Sequence, residues 1–457
     1  MALKLTFFGG AGIVTGSNFL VENDTGAQVL LDCGMEQGRD YIMEDTYGPF
    51  PFEAAELSAV VITHAHLDHV GRGPKLMKAG YTGKIYMTAP TRDLSEAILR
   101  DSVNILAQEA EQRGIAPLYE AVDVDAFLAH IETVEYHEEK EIGKGVSVYL
   151  RNTGHILGSA SVRLKDADGT TFALTSDIGN SPSVLLPDAE PVTDAEAILI
   201  ESVYGDRTNP EKENREQLLG ETLARAIARG GTILMPAFSI ERTQVLLYEI
   251  GKLIEAGTIP EIPVFLDSPL AIAVTNVYEK WGPTYFKKER FEKNLFDFPF
   301  LTETRSREES EDIEKAAGVK IIMAGAGMSH GGRIGKWEQR YLPEETTTLL
   351  IVGYQAPGTP GRLLQDGAKH VRIQGREVEV RATTETLHGW SGHADRDGLL
   401  RFAEACLPTA KTFFVGLGEP ASQRFLAQRI HDYLGTKAIV AVKGESFRIA
   451  KGRVIRL

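Results

Sequence analysis

Thr63-His64-Ala65-His66-Leu67-Asp68-His69 follows directly on the short apolar run 59–63, and its reading decides the rest of the chain. Four side chains of the metal-binding kind, His64, His66, Asp68 and His69, fall within six residues at a strand-to-helix junction. On extended backbone His64 and His66 face the same way, whereas Asp68 and His69 turn over with the start of a helix. Imidazole and carboxylate suit zinc, and also iron or manganese. The spacing favours two adjacent cations over one. The plainer alternative is a solvated loop that happens to be rich in histidine, and four donors in so short a span argue against it.

Composition bounds what can surround this segment. The chain has 457 residues, 43% hydrophobic and 25% charged, the balance of a soluble globular protein of two or three domains. No run approaches the roughly 18–20 apolar residues that a membrane helix requires. Residues 1–8 form a short alternating strand that leads into Gly9-Gly10-Ala11-Gly12, without the charged start, apolar block and cleavage site of a signal peptide. Two cysteines, Cys33 and Cys406, each beside apolar neighbours, are too few for a framework of staples and read as buried, reduced thiols. A cytoplasmic protein is expected.

The formal charge of −15 weighs against a nonspecific nucleic-acid binder with a basic surface. A cleft holding two divalent ions is locally positive even under an acidic exterior. Lys443, Arg448, Lys451, Arg453 and Arg456, against the single acid Glu445, form either a local basic patch or a solvated terminal strand.

Along the first two hundred residues the pattern predicts strands alternating with helices. Strands are expected at 27–31, 59–63, 172–175 and 197–200, with a helix over 91–113. Each of these strands stops at polar or metal-type residues, the place where a layered α/β fold holds functional side chains rigidly. Beyond about residue 206, strands at 232–235, 264–267, 320–324 and 347–352, with a helix over 241–255, suggest a second α/β domain with a parallel sheet. The charged stretch 287–315 reads as helical and mobile, and 371–380 as a short valine-rich segment.

The pattern His-x-His-x-Asp-His resembles the signature of the metallo-β-lactamase superfamily, and further elements of that family follow in order. Asp32, in Leu30-Leu31-Asp32-Cys33-Gly34, matches its first acidic motif. His155, in Gly154-His155-Ile156-Leu157-Gly158-Ser159, matches the third, and Asp177, in Ser176-Asp177-Ile178-Gly179-Asn180, the fourth. Alone, His155 reads as a structural histidine and Asp177 as a turn residue. The resemblance implies that His64, His66 and His155 hold one Zn2+ and Asp68 and His69 a second, with Asp177 bridging and Asp32 supporting from behind the ligands. Mn2+ or Fe2+ stays open. Two ions about 3.5–4 Å apart clamp the attacking and leaving oxygens of a displacement, and zinc brings the pKa of bound water near about 7. The chemistry implied is hydrolysis by a metal-bound hydroxide.

The insertion after Asp177 and the return near His393 resemble the β-CASP group of nucleases over essentially the whole chain. The implied fold is a metallo-β-lactamase αββα sandwich (residues 1–205 and 381–457) with an inserted β-CASP α/β domain at 206–380. Glu201, in Glu201-Ser202-Val203-Tyr204-Gly205-Asp206-Arg207, fits that group's acidic motif A. His393, in Trp390-Ser391-Gly392-His393-Ala394-Asp395, fits its motif B. A histidine held by a carboxylate suits protonation of a departing ribose oxygen, so His393 is expected as general acid, paired with Glu201, and Asp68 as a further catalytic carboxylate. Pro236-Ala237-Phe238-Ser239, Leu266-Asp267-Ser268-Pro269, Gly325-Ala326-Gly327-Met328-Ser329-His330-Gly331-Gly332 and Gly353-Tyr354-Gln355 also resemble β-CASP segments. They nominate Arg242, Ser268, Gly327, Met328, Gly331 and Gly332 for substrate binding. A tight turn explains the glycines nearly as well as a phosphate cradle does. The expected activity is zinc-dependent endonucleolytic cleavage of single-stranded RNA, with 5′ exonuclease action left open, and the resemblance weakly implies a homodimer.

One departure stands out. The family's motif C places a histidine before a Gly-Glu pair, and here the stretch Val415-Gly416-Leu417-Gly418-Glu419 has Leu417 there. Leucine cannot ligate. The second site is then weaker, or His388 substitutes, or the chain keeps a binding role with an impaired metal site. Aliphatic residues at motif C also occur in DNA-cleaving relatives, which keeps DNA open as a substrate.

Overall fold

Strand Ala197–Ile200 carries four consecutive apolar side chains, all buried. Ala197 and Leu199 enter one core, while Ile198 and Ile200 enter another on the opposite face. A strand buried on both faces must lie between two covering layers, and this alternation recurs throughout the first unit of the fold. The computed structural model describes residues 2–36, 43–290, 295–451 and 453–457. It divides into one unit of Met1–Thr208 with His393–Leu457, and a second of Asn209–Gly392.

The first unit is a sandwich of two mixed sheets. One runs, neighbour by neighbour, from Arg453–Arg456 through Ser446–Ala450, Leu3–Phe7, Phe19–Asn23, Gln28–Leu31, Ala59–Val61 and Lys84–Met87 to Ile131–Thr133. The other runs from Lys437–Val440 through Thr412–Val415, Ala197–Ile200, Thr171–Leu174, Ala160–Asp166 and Val146–Asn152 to Glu139–Gly143. Phe7, Phe19, Phe172, Leu199 and Phe414 fill the space between them. The outer face of the first sheet packs Leu30, Val60 and Ile85 against the helix Ala89–Arg113 and its neighbours. That of the second packs Ile198, Ile200 and Phe413 against the helices Arg396–Ala405 and Pro420–Leu434. The result is the expected αββα layering.

Simple strand–helix alternation does not hold over residues 139–174. There the chain runs as an antiparallel meander, because short turns leave no length for crossover helices. Both cysteines are free and buried. The C-terminal cations are largely answered by acids: Lys443 pairs with Glu36 and Asp45, Arg448 with Asp24, and Arg456 with Glu445. Among the described residues, no helix is long and apolar enough to cross a membrane.

The second unit is built on a six-stranded parallel sheet in the order Leu301–Glu303, Val264–Leu266, Lys320–Ala324, Thr232–Pro236, Thr348–Val352, Thr383–Leu387. Thr383–Leu387 extends this unit past residue 380, the boundary expected from sequence. The stretch 287–315 is not simply helical. It contains the edge strand Leu301–Glu303 and the short helix Arg307–Asp312, capped by Ser306 and Glu309, while residues 291–294 lie outside the described residues. High charge had masked a three-residue strand that needs few apolar side chains at a sheet edge. The segment 371–380 forms nearly all of a hairpin, His370–Ile373 paired with Arg376–Glu379. Connections from the adjacent strands Thr232–Pro236 and Lys320–Ala324 leave toward opposite edges of the sheet, so their carboxyl ends open a crevice of the kind where parallel sheets bind ligands.

A buried acid underlies one wall of that crevice. Glu338, fully buried on the helix Ile334–Tyr341, accepts a hydrogen bond from Ser329 Oγ in the glycine-rich loop. Burial pushes its carboxyl up to about 8, against the opposing pull of the Ser329 hydrogen bond. Since the folded-state pKa lies above that of the unfolded chain, its protonated form stabilises the fold fully below about pH 4.5, and this contribution is lost as pH rises through about 8. Glu338→Gln is therefore expected to flatten the decline of urea stability between pH 5 and 8. An unchanged slope would count against a protonated Glu338.

Candidate metal centre

Every proposed ligand sits just beyond the end of a strand in the first unit, and the backbone explains how the loops come together. Asp32 ends the strand Gln28–Leu31 with φ 60. Its Oδ1 accepts from Thr63 N at 2.8 Å, and its Oδ2 accepts from Ser17 Oγ at 2.8 Å and Thr63 Oγ1 at 3.0 Å. His66 precedes the one-turn helix Leu67–Val70, which carries Asp68 and His69. Gly34 lies so close to this turn that a Cβ there would stand 1.6 Å from the Asp68 carbonyl oxygen. Gly179 approaches Gly154 likewise, with a Cβ position 2.0 Å from the Gly154 carbonyl oxygen. The loops bearing Asp177 and His155 are thereby pressed together.

The side chains converge accordingly. His66 Nδ1 lies 3.1 Å from His64 Nε2 and 3.2 Å from His155 Nε2. Asp177 Oδ2 lies 3.5 Å from His64 Nε2, 3.4 Å from His155 Nε2 and 3.5 Å from His69 Nε2. A tetrahedral site with arms of about 2.0–2.1 Å separates its donor atoms by about 3.4 Å, so His64, His66, His155 and Asp177 fit a divalent cation. Asp68 and His69 stand apart from that foursome, their facing atoms 3.9 Å from each other. His69 reaches Asp177 at 3.5 Å, but Asp68, His69 and Asp177 do not make a convergent donor group among the described residues. His69 Nε2 is buried without a hydrogen-bond partner, while its Nδ1 faces Asp32 Oδ2 at 2.7 Å. An imidazole whose far nitrogen is fixed by a carboxylate, with the near one left open, is arranged as ligand and support are in metal sites.

Electrostatics separate the histidines. Burial, reinforced by His69 and the other histidines, holds His64 well below the ordinary imidazole range. Burial likewise lowers His66 to about 4, against a raising influence from Asp68. His64 and His66 therefore present lone pairs rather than charge. Burial opposes charge on His69 too, but Asp177, Asp32 and Asp68 outweigh it and raise this imidazole to about 10. Burial lifts Asp177 to about 7 despite His69 and His393. A site that crowds both carboxylates and imidazoles in this way is relieved by a cation.

His393 and Glu201 adjoin this cluster. Glu201 is fully buried, accepts from Ile178 N at 2.6 Å and Val203 N at 3.2 Å, and meets His393 Nδ1 at 3.3 Å. His393 pairs through its backbone with Gly179, and its ring stands 4.6 Å from that of His155. Burial works against its charge, but Glu201 and Asp177 together raise it to about 9. Atoms of Asp177, Glu201 and His393 also converge within 4.8 Å.

Leu417 supplies no donor. It is fully buried with φ 47, and its side chain packs into the inter-sheet core beside Gly10 and Phe19. His388 lies in the second unit with its side chain exposed, and neither convergent donor group among the described residues includes it. The residues nominated for substrate binding also belong to the second unit. Arg242 begins the helix Arg242–Glu255, and Ser268 caps Pro269–Tyr285 by accepting from Ala271 N. Gly327, Met328 and Gly331 fold the glycine-rich loop through their own carbonyls, which accept from Gln355 Nε2, Gly361 N and Ala326 N. Gly332, at φ 67, leaves no room for a Cβ beside Gly325. Sequence reading passed over Ser17, which donates to Asp32, and Thr63 and Ser176, whose hydroxyls link Asp32 to His64. Their one signal was position, beside or near motif residues.

Because the ligand loops touch backbone to backbone, Gly34→Ala and Gly179→Ala are each expected to cost roughly 1–3 kcal/mol. Both should also lower bound metal per chain, as read by urea denaturation and elemental analysis. Full metal content in both variants would contradict this account of the site.

Family profiles match three parts of the chain: the metallo-beta-lactamase superfamily at residues 11–182, the Beta-Casp domain at 243–364, and the Zn-dependent metallo-hydrolase RNA specificity domain at 377–441. Ribonuclease TTHA0252 of Thermus thermophilus is 36% identical over 404 residues, covering 87% of this chain and 90% of that protein. Transcription termination factor FttA of Pyrococcus horikoshii is 32% identical over 459 residues, covering 95% of this chain and 69% of that protein. A crystal structure of a protein of unknown function from Enterococcus faecalis shares the fold, with a TM-score of 0.58 at 12% identity over 98% of this chain and all of that one. With its ligand loops, inserted parallel sheet and returning C-terminal segment, this chain belongs to the β-CASP group of the metallo-β-lactamase superfamily and is a metal-dependent hydrolase.

Proposed function

We propose that this protein hydrolyses phosphodiester bonds of single-stranded RNA in the cytoplasm, as a zinc-dependent endoribonuclease. The observation that carries this reading is the joint placement of His64, His66, His155 and Asp177 beside an imidazole, His393, that Glu201 holds by one nitrogen. A nuclease needs both a site for cations and a proton source for the departing oxygen. The ribonuclease name of the Thermus relative supports RNA over other phosphodiesters, as does the RNA specificity description matched at residues 377–441. An overall charge of −15 suits a single strand engaged locally better than the dense phosphate array of a duplex.

His64, His66, His155 and Asp177 would hold one cation, and Asp68, His69 and Asp177 another. When bound, such ions lower the pKa of water and offset negative charge gathering on the phosphoryl oxygens. The chain's own groups do the rest. Asp32 fixes His69 by its Nδ1 so that Nε2 faces inward. Asp68 presents a carboxylate that orients the attacking water. Glu201 accepts a hydrogen bond from His393 Nδ1–H, which sets the ring's orientation and favours its charged form, leaving Nε2–H to protonate the leaving ribose oxygen. Zinc is favoured because three imidazoles and one carboxylate form a compact four-atom set. Leu417 favours weaker binding at the second position, which draws only on Asp68, His69 and the shared Asp177.

Purified protein supplied with zinc is expected to cleave labelled RNA. His64→Ala should lower both metal content and cleavage. His393→Ala should keep metal at the first position and lose roughly 10²–10⁴-fold in rate, the usual contribution of a general acid. RNA bound tightly but never cut, with metal present, would replace this reading by a binding role.

A further inference from the structure

Among the described residues of the second unit, the large hydrophobic side chains that stand exposed are Phe238, Tyr354 and Leu363. Two are aromatic, and both lie beyond the carboxyl ends of adjacent parallel strands: Phe238 after Thr232–Pro236, and Tyr354 after Thr348–Val352. The first of these strands borders the crevice, and the second lies next to it on the other side. Exposure of 40% for Phe238 and 44% for Tyr354 gives the fold little return from either ring.

Phe238 is also held, rather than dangling from a loop tip, and the residue after Tyr354 is tied to the glycine-rich loop. Thr243 fixes the Phe238 carbonyl with both its backbone N–H and its hydroxyl. The Phe238 ring lies against the glycine-rich loop so closely that a Cβ on Gly327 would come within 2.8 Å of its Cδ2. The Gly327 carbonyl in turn accepts from Gln355 Nε2, which ties the neighbour of Tyr354 to the same loop. Arg242 brings a cation to this edge, its Nε 3.9 Å from where a Cβ on Gly353 would stand. A fixed aromatic face, a second one a strand away and a guanidinium between their loops form the combination that engages unpaired bases by stacking and the adjoining phosphate by charge.

We infer that Phe238, with Tyr354 as its companion, forms a stacking subsite for a nucleobase of single-stranded RNA at the carboxyl edge of the parallel sheet, with Arg242 taking the neighbouring phosphate. The inference rests on the RNA reading given above and adds a base-dependent part to it. Stacking of this kind is tolerant of sequence, since every base has a π-face, so the subsite would grip a strand without dictating where it is cut.

The test compares two labelled ligands of equal length, oligoadenylate and an abasic oligonucleotide with the same sugar-phosphate backbone. Binding is followed by fluorescence anisotropy in the full chain carrying His393→Ala to suppress cleavage. Adding Phe238→Ala should weaken oligoadenylate binding about tenfold, the order of one lost base–aromatic stack, and leave abasic binding within about twofold. Phe238→Trp should bind oligoadenylate at least as tightly as the parent and shows that the site tolerates substitution. Equal loss for both ligands, or no loss for either, overturns the subsite while leaving the RNA reading standing. Failure of the parent chain to bind either ligand overturns both.

Discussion

Four donor atoms within 4.8 Å of one another, three of them imidazole nitrogens and their nearest neighbours 3.1–3.5 Å apart, make an arrangement that protons alone satisfy poorly. Neutral imidazoles brought nose to nose oppose their lone pairs, and charged ones repel, so the rest of the first unit must supply the rigidity that keeps them together. It does so through backbone contact. Gly34 against Asp68 and Gly179 against Gly154 press the ligand loops into pairs. The αββα layering then fixes the strand ends from which those loops emerge.

Behind the ligands runs a line of small polar groups. Thr63 and Ser176 connect Asp32 to His64, Ser17 donates to Asp32, and Asp32 meets His69 directly, so two of the imidazoles are held from behind by groups outside the donor set. Asp32 and Ser176 both adopt positive φ, one and two residues beyond the end of a strand. Such backbone costs of order 1–3 kcal/mol per residue and persists where the surroundings over-determine it. Here the surroundings are the buried cores on both faces of each sheet, and the strain falls at the site.

The second unit solves a different problem. Connections from its parallel strands Thr232–Pro236 and Lys320–Ala324 leave toward opposite edges of the sheet, and the glycine-rich stretch 325–332 follows the second of them. Asp267, fully buried, gathers Thr304, Ser310, Arg333 and Trp337 around the end of its strand, and Glu338 steadies Ser329 from beneath. The loops at this edge are therefore as firmly supported as those of the metal centre, which is what a surface offering fixed aromatic rings to a ligand requires.

Sequence by itself determined the donor types and the layering. His64, His66, Asp68 and His69 are local in the chain, and strands such as 59–61 and 197–200 announce burial on both faces by their unbroken apolar runs. Tertiary structure alone decided the rest, because it depends on atoms far apart in sequence. It set the contact of Asp32 with His69 Nδ1, the 3.3 Å approach of Glu201 to His393, a pair that the family resemblance named and local sequence could not, and the turning of Leu417 into the core. The same holds for Leu301–Glu303 and Thr383–Leu387, whose own composition says little and whose strand character comes from neighbours already in place. A hydrogen bond between distant residues leaves no period in the sequence; an apolar face does.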